Sequence, residues 1–414
     1  MKEVLLVKSN GNTVAFPLDE QGRFVIPNYG VARPFSSFLP GIAGPMGIPM
    51  WVFYVNRGQA IASFGVETKD NSIMEFQPAN KAYQTTPYTG FRTFLKLKRG
   101  ADTVLYEPFS PWHAADRTRM CIGMSELELQ TTSAAHGVRT NVLYFTLPGE
   151  NFAGLVRQVT VTNMGEDPVE LELLDGMPAV VPSGATNMGL KRTGRTLEAW
   201  MGVQNLDQGI PFYRLRARAG DRPEVERIKA GHFYLAFSLE ADQPKLLPAI
   251  VDPALVFGHN TALNTPDLFR QHPLADLQAR KQITTGRTPC GFFGTSAVLE
   301  PSSTVMIYAI VGHVSDLGHL DREKDRFLQA GYVHQQRDEA LILVRRLTDV
   351  VDTQTGSPIF DAYCRQTFLD NALRSGWPRI FGSEEKHVYH VDSRKHGDLE
   401  RDYNDFFLAA EMYS

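Results

Sequence analysis

Up to about residue 315, apolar and polar positions alternate in short runs broken by Gly, Pro, Asn and Asp, the period-two signature of strands and turns. Residues 51–55 and 60–66 flank Asn56-Arg57-Gly58, where glycine offers the positive φ that a tight hairpin requires. Residues 91–97 and 103–106 flank Lys98-Arg99-Gly100-Ala101-Asp102 in the same way. Val156, Gln158, Thr160 and Thr162 alternate with Arg157, Val159, Val161 and Asn163, then a Gly/Pro turn at 164–168 leads to a second alternating run at 169–173. Both runs read as antiparallel strands with one solvated face. Residues 302–311 add another β-branched run, and no short repeat suggests a solenoid or propeller.

After residue 315 the period lengthens. Ala340, Leu343, Val344, Leu347 and Val351 fall on one helical face, with Asp338, Arg345 and Arg346 on the wetter side. Ser357-Pro358 reads as an N-cap followed by proline at the first helical position, and Ser375-Gly376 with Pro378 as the stop near Arg374. A last helical pattern (Leu399, Tyr403, Phe406, Phe407, Ala410) runs almost to Ser414. The expected fold is therefore mainly β. A large antiparallel β-sandwich occupies 1–315, a helical linker 316–352, and further helices 353–414.

Composition narrows the partners. Hydrophobic residues are 43% and charged residues 21%, an ordinary globular mix that argues against wholesale disorder. With 42 Lys plus Arg against 46 Asp plus Glu, the net charge of −4 offers no surplus for neutralising phosphates, so no nucleic-acid partner is expected. Cys121, Cys290 and Cys364 lie far apart without a CxxC pair, which favours a reducing compartment over a disulfide scaffold. The N-terminus lacks the apolar region of a signal peptide, and the run 305–311 is too short to span a bilayer. A cytoplasmic protein with no membrane partner is the expectation.

Candidate chemistry concentrates near the C-terminus. Ser393 to Asn404 holds Arg394, Lys395, His396, Asp398, Glu400, Arg401 and Asp402. Carboxylates there can bond sugar hydroxyls while Arg and Lys orient an anion, and the same stretch equally reads as a solvated helix start. His387, His390 and His396 near Asp392 lack the HExxH or cysteine set of a dedicated metal site, so no metal is expected. Residues 41–47 are Gly-rich but lack the Lys-Ser/Thr ending of a phosphate loop, and no Gly-x-Ser-x-Gly elbow occurs. Of the tryptophans, Trp51 begins an alternating strand and reads as core. Trp112, in a loop between Pro111 and His113, is the better candidate for stacking on a sugar ring.

Three segments carry a family resemblance. Asn56-Arg57-Gly58-Gln59-Ala60-Ile61-Ala62-Ser63-Phe64-Gly65 with Lys69 to Phe76 and Pro78 to Tyr83, then Tyr363 to Asn371, then Ser393 to Asn404, resemble the N-terminal part of the cellobiose phosphorylase superfamily of inverting glycoside phosphorylases. The similarity is greatest to the long β-1,3-glucan type. The resemblance implies a β-sandwich, linker helices and an α/α toroid of which 353–414 would be the start. It further implies phosphorolysis of β-glucan or β-glucoside oligosaccharides to α-glucose 1-phosphate, with inorganic phosphate as co-substrate and no other cofactor. No residue of this chain matches the family's general acid. The implied reading is thus an N-terminal portion, inactive alone, partnered by a separate toroid chain or by a second copy in a homodimer. A stand-alone carbohydrate-binding protein is the alternative.

Overall fold

The computed structural model describes residues 4–9, 12–40, 50–217, 228–240, 243–351, 353–375, 379–381 and 387–389, and its side chains between residues 17 and 370. Two antiparallel sheets face each other. The larger has ten strands, with a central path running Gly231–Glu240, Thr304–Val314, Ala153–Asn163, Val138–Thr146, Glu126–Ser133 and Arg117–Ile122. The smaller has five, in the order Ala249–Ile250, Gly291–Leu299, Val169–Met177, Arg92–Arg99 and Asp102–Tyr106. Leu129, Val142, Val159, Val161 and Val311 of the larger sheet meet Leu95, Leu97, Leu171 and Leu173 of the smaller in one core. Such side chains contribute roughly 1.5–3 kcal/mol each on full burial.

The hairpin expected around Gly58 forms, with Met50–Val55 paired to Ile61–Val66. Gly58 has φ 53°, and a Cβ there would lie 2.8 Å from Pro87 Cα, so glycine is required twice over. Arg92–Arg99 pairs with Asp102–Tyr106, again as the pattern predicts. The turn at 164–168 does something different. Ala153–Asn163 pairs with Val138–Thr146 and Thr304–Val314, whereas Val169–Met177 pairs with Gly291–Leu299 and Arg92–Arg99. The turn carries the chain from one layer to the other. The face of Ala153–Asn163 that holds Arg157, Val159 and Val161 is buried between the sheets, and Gln158, Thr160 and Thr162 are half-exposed.

The alternating pattern also hid several elements. Ser36–Leu39, Met50–Val55, Ile61–Val66 and Ser72–Met74 form a separate four-stranded sheet, and Ala79–Thr89 and Asn187–Trp200 are helices inside the strand region. Helices Ala254–Phe257, Asp267–Gln271 and Leu274–Ala279 cover the outer face of the smaller sheet through Phe257, Phe269, Leu274 and Leu277.

Strand gives way to helix between Val314 and Leu317. Leu317–Phe327 and Ala330–Thr348 lie on the outer face of the larger sheet, where Phe327 stacks on Phe233 and packs against Phe152, centroids 6.2 and 4.8 Å apart. Ala340 and Val344 of the expected apolar face are buried. The next helix, Pro358–Ser375, starts at the expected residue, and Ser357 Oγ accepts from Phe360 N at 3.5 Å, in the N-cap position. It meets the preceding helix through Leu369 against Val344. His387–Tyr389 is a short strand paired with Arg379–Phe381. No described helix is long and apolar enough to cross a membrane.

Candidate functional site

Among the predicted site residues, only Trp112 falls within the described part. Arg394, Lys395, His396, Asp398, Glu400, Arg401 and Asp402 lie outside it, as do His390, Asp392, Trp377 and the Gly-rich stretch 41–47. The tryptophans divide as their sequence contexts suggest. Trp51 is buried with its Nε1 donating to Thr68 O, and Trp112 is 69% exposed.

Trp112 stands on the connection between Asp102–Tyr106 and Arg117–Ile122, at one end of the sandwich. That connection is tied down at both ends. Glu107 follows the first strand and accepts from Arg92 Nε at 2.6 Å and Nη2 at 2.8 Å, while Arg92 also donates to the Leu263 and Asn264 carbonyls. Burial pushes the Glu107 carboxyl up, and the Arg92 guanidinium opposes that shift. At the other end, Tyr106 Oη donates to Asp116 Oδ2 at 2.6 Å. Burial and then the Asp116 carboxylate raise the Tyr106 phenol above its ordinary value. Between these anchors Phe109 is buried at φ 66°, a conformation that a bulky residue adopts only where its surroundings enforce it.

Two imidazoles complete the cluster. His113 packs edge-on against the Tyr106 ring at 4.9 Å, and His136 lies 4.5 Å from the same ring. His136 arrives from the turn between Glu126–Ser133 and Val138–Thr146, which Gly137 closes at φ 59°. Burial, then the neighbouring His113, lowers the His136 pKa. An exposed indole therefore sits on a connection tied down at both ends, next in sequence to His113. That arrangement suits stacking on a flat apolar face with hydrogen bonds at its edge. The carboxylates of the cluster are engaged, Glu107 by Arg92 and Asp116 by Tyr106. Among the described residues no group of three or more His, Cys, Asp or Glu side chains converges to hold a metal. Sequence reasoning reached Trp112 and stopped short of Tyr106, Asp116 and His136, which only the folded sheets bring together.

A concavity of about 800 Å³ lies where the sandwich edge meets the last two long helices. Leu18, Phe24, Ile122 and Met124 form its apolar side, and Arg345, Asp349, Asp361 and Arg365 its charged side. Asp361 is engaged by Thr355, whose Oγ1 donates to it at 2.9 Å.

No family description and no curated protein matches the sequence. Three solved structures similar to this chain are a polysaccharide lyase (13% identity, TM-score 0.36), a bacterial glucoamylase complexed with acarbose (9%, 0.33) and a putative kojibiose phosphorylase from the human microbiome (6%, 0.26). They cover 66%, 76% and 90% of this chain respectively. The chain spans 33%, 39% and 34% of theirs, between a third and two fifths.

Proposed function

We propose that this chain is the sandwich-and-linker portion of a cytoplasmic inverting glycoside phosphorylase that acts on β-glucan oligosaccharides. In that reading 1–315 is the sandwich, 316–352 the linker and 353–414 the first part of the catalytic toroid. The general acid would protonate the leaving oxygen from the toroid while inorganic phosphate attacks the opposite face of the sugar. The role of this portion is support. It holds the helices leading to the toroid in a fixed position on the sandwich and shapes the approach to the glucan.

One structural relationship carries the support role. Two sandwich carboxylates, Glu150 in the connection between Val138–Thr146 and Ala153–Asn163 and Glu126 at the start of Glu126–Ser133, seize the linker helices. Glu150 accepts from Arg326 Nη1 and Nη2, each at 2.9 Å, from Tyr332 Oη at 2.9 Å and from Gln336 Nε2 at 3.3 Å. Glu126 accepts from Arg337 Nε at 2.6 Å and Nη2 at 3.0 Å, and from Arg23 Nη1 at 2.8 Å. Bidentate Arg–carboxylate pairs fix orientation as well as distance, and Glu150 and Glu126 are buried. The phosphorylase assignment itself rests on the segments 56–83, 363–371 and 393–404.

The test is phosphate release from α-glucose 1-phosphate with laminari- or cello-oligosaccharide acceptors. This chain by itself should release none. Turnover by the isolated chain would overturn the support role. Trp112 favours a second reading, a stand-alone carbohydrate-binding protein, and saturable oligosaccharide binding without turnover distinguishes it.

A further inference from the structure

We propose that the connections 107–116 and 259–266 are two sides of one site for a neutral oligosaccharide, in which Trp112 stacks, Asn264 donates to hydroxyls and Arg92 is the positioning residue that joins them. This deepens, and rests on, the carbohydrate-binding reading of Trp112. Arg92 is 1% exposed and opens the Arg92–Arg99 strand, beside the end of Asp102–Tyr106. Its Nε and Nη2 clamp the Glu107 carboxylate of the first connection. Its Nη2 also donates to the Asn264 carbonyl at 2.9 Å, and its Nη1 to the Leu263 carbonyl, both in the second. A planar fork of donors can serve a carboxylate and two carbonyls at once, and the ammonium of lysine cannot. Each connection is also held in a conformation that its sequence disfavours. Phe109 has φ 66° and Leu263 φ 54°, and among the described residues they are the only large apolar side chains at positive φ. Such residues persist where their surroundings over-determine them, and they cluster at binding sites. Arg92 supplies that constraint to both, through the Leu263 carbonyl itself and through Glu107, two residues before Phe109.

Asn264 carries the hydrogen-bonding side. It is exposed, and its Oδ1 accepts from Asn260 Nδ2 at 2.7 Å, which orients the amide and leaves its own N–H groups for a ligand. Because Arg92 holds the carbonyl of the same residue, backbone and side chain are both fixed before a ligand arrives. Donors ordered in advance lose least on binding. Charge selects the ligand class. The two carboxylates in these connections are engaged, Glu107 by Arg92 and Asp116 by Tyr106, and neither connection contains lysine or arginine. A uronic acid or a phosphosugar would find no such cation to pair with there. A neutral pyranose, with an apolar face rimmed by hydroxyls, meets an indole for the face and an amide for the rim.

Calorimetric titration of the full chain with laminari-, cello- and glucuronate oligosaccharides tests this. The wild type should bind a neutral oligosaccharide saturably and Trp112→Ala should not. Asn264→Ala removes one exposed amide and should weaken binding roughly three- to tenfold with the melting temperature unchanged. Arg92→Lys should weaken it about tenfold or more at temperatures where the variant is fully folded. A merely structural Arg92 would lower the melting temperature and leave the affinity of the folded chain as it was. If Arg92→Lys does not fold, Asn264→Ala decides. No saturable binding by the wild type overturns the carbohydrate-binding reading and this proposal together. Binding that Trp112→Ala abolishes, and that Asn264→Ala or a folded Arg92→Lys leaves untouched, keeps that reading and overturns the proposal. Tighter binding of the glucuronate oligosaccharide overturns the neutral ligand class.

Discussion

Arg157 of the larger sheet donates to both carboxylate oxygens of Asp175 in the smaller one, Nε to Oδ2 at 2.9 Å and Nη2 to Oδ1 at 2.7 Å, with both side chains buried. Its remaining N–H groups reach Tyr144 Oη, Gln59 Oε1 and Thr93 Oγ1, and its guanidinium lies 4.8 Å from the centroid of the Phe91 ring. Asp175 raises the Arg157 pKa against the opposing effect of burial. The pair is a polar pin through an otherwise apolar core, fixing how one sheet sits on the other.

Breaking one side of that pin leaves a buried charge without its partner. Asp175→Asn should cost about 3–5 kcal/mol in urea unfolding, whereas replacing both residues with leucine should cost clearly less. A loss in the double variant equal to the sum of the losses in the two single variants would mean that the pair adds no coupling.

Acid should loosen the sandwich through a second buried pair. His232 Nδ1 and His313 Nδ1 lie 3.1 Å apart, a contact in which one ring donates and the other accepts. Burial lowers both pKa values from 6.5, that of His313 to about 4, and His232 is lowered further by the neighbouring His313. The unfolded chain then binds more protons than the folded one between those values. The pair's contribution is complete above about pH 6.5 and is lost as pH falls toward about 4. Melting temperatures of the wild type and a His232→Phe/His313→Phe variant, compared between those limits, should diverge on the alkaline side and converge on the acid side.

Glu150→Ala should release the helices from the sandwich. It strips Tyr332 and Gln336 of a buried acceptor and should cost about 1–3 kcal/mol. Hydrogen exchange should accelerate in Leu317–Phe327 and Ala330–Thr348 before the sheets respond. Uniform acceleration across the chain would show that the helices do not open as a separate unit.

Trp112→Ala should change unfolding free energy by less than about 0.5 kcal/mol, because the indole is mostly in water. Under the carbohydrate-binding reading it should abolish quenching of tryptophan fluorescence by laminari-oligosaccharides. Unaltered quenching in the variant removes Trp112 from any binding role.

The parts of the fold legible in the sequence were those set by local physics. Gly58 announced its hairpin, and Ser357-Pro358 announced the start of its helix. The turn at 164–168 reads only as a link between two antiparallel strands, because turn chemistry shows that a chain reverses and not which layer it enters. Arg157 looked like one member of an alternating strand, and nothing nearby marks Asp175 as its partner 18 residues later. Trp112 was legible as a loop aromatic. His136 joins it only through the folded sheets. Glu150 could not be read as a clamp either, since Arg326 lies 176 residues away.

The place of Thr304–Val314 also has a consequence in time. This strand lies between Ala153–Asn163 and Gly231–Glu240, so the larger sheet consists of two unconnected halves until it inserts. A chain emerging from the ribosome therefore carries one open strand edge for some 150 residues, from Asn163 to Val314, and a second for about half of that, from Glu240 to Val314. Closure of such long-range pairings is slow, and open edges invite pairing with other chains. Productive synthesis should accordingly depend on holdase chaperones far more than refolding at high dilution does.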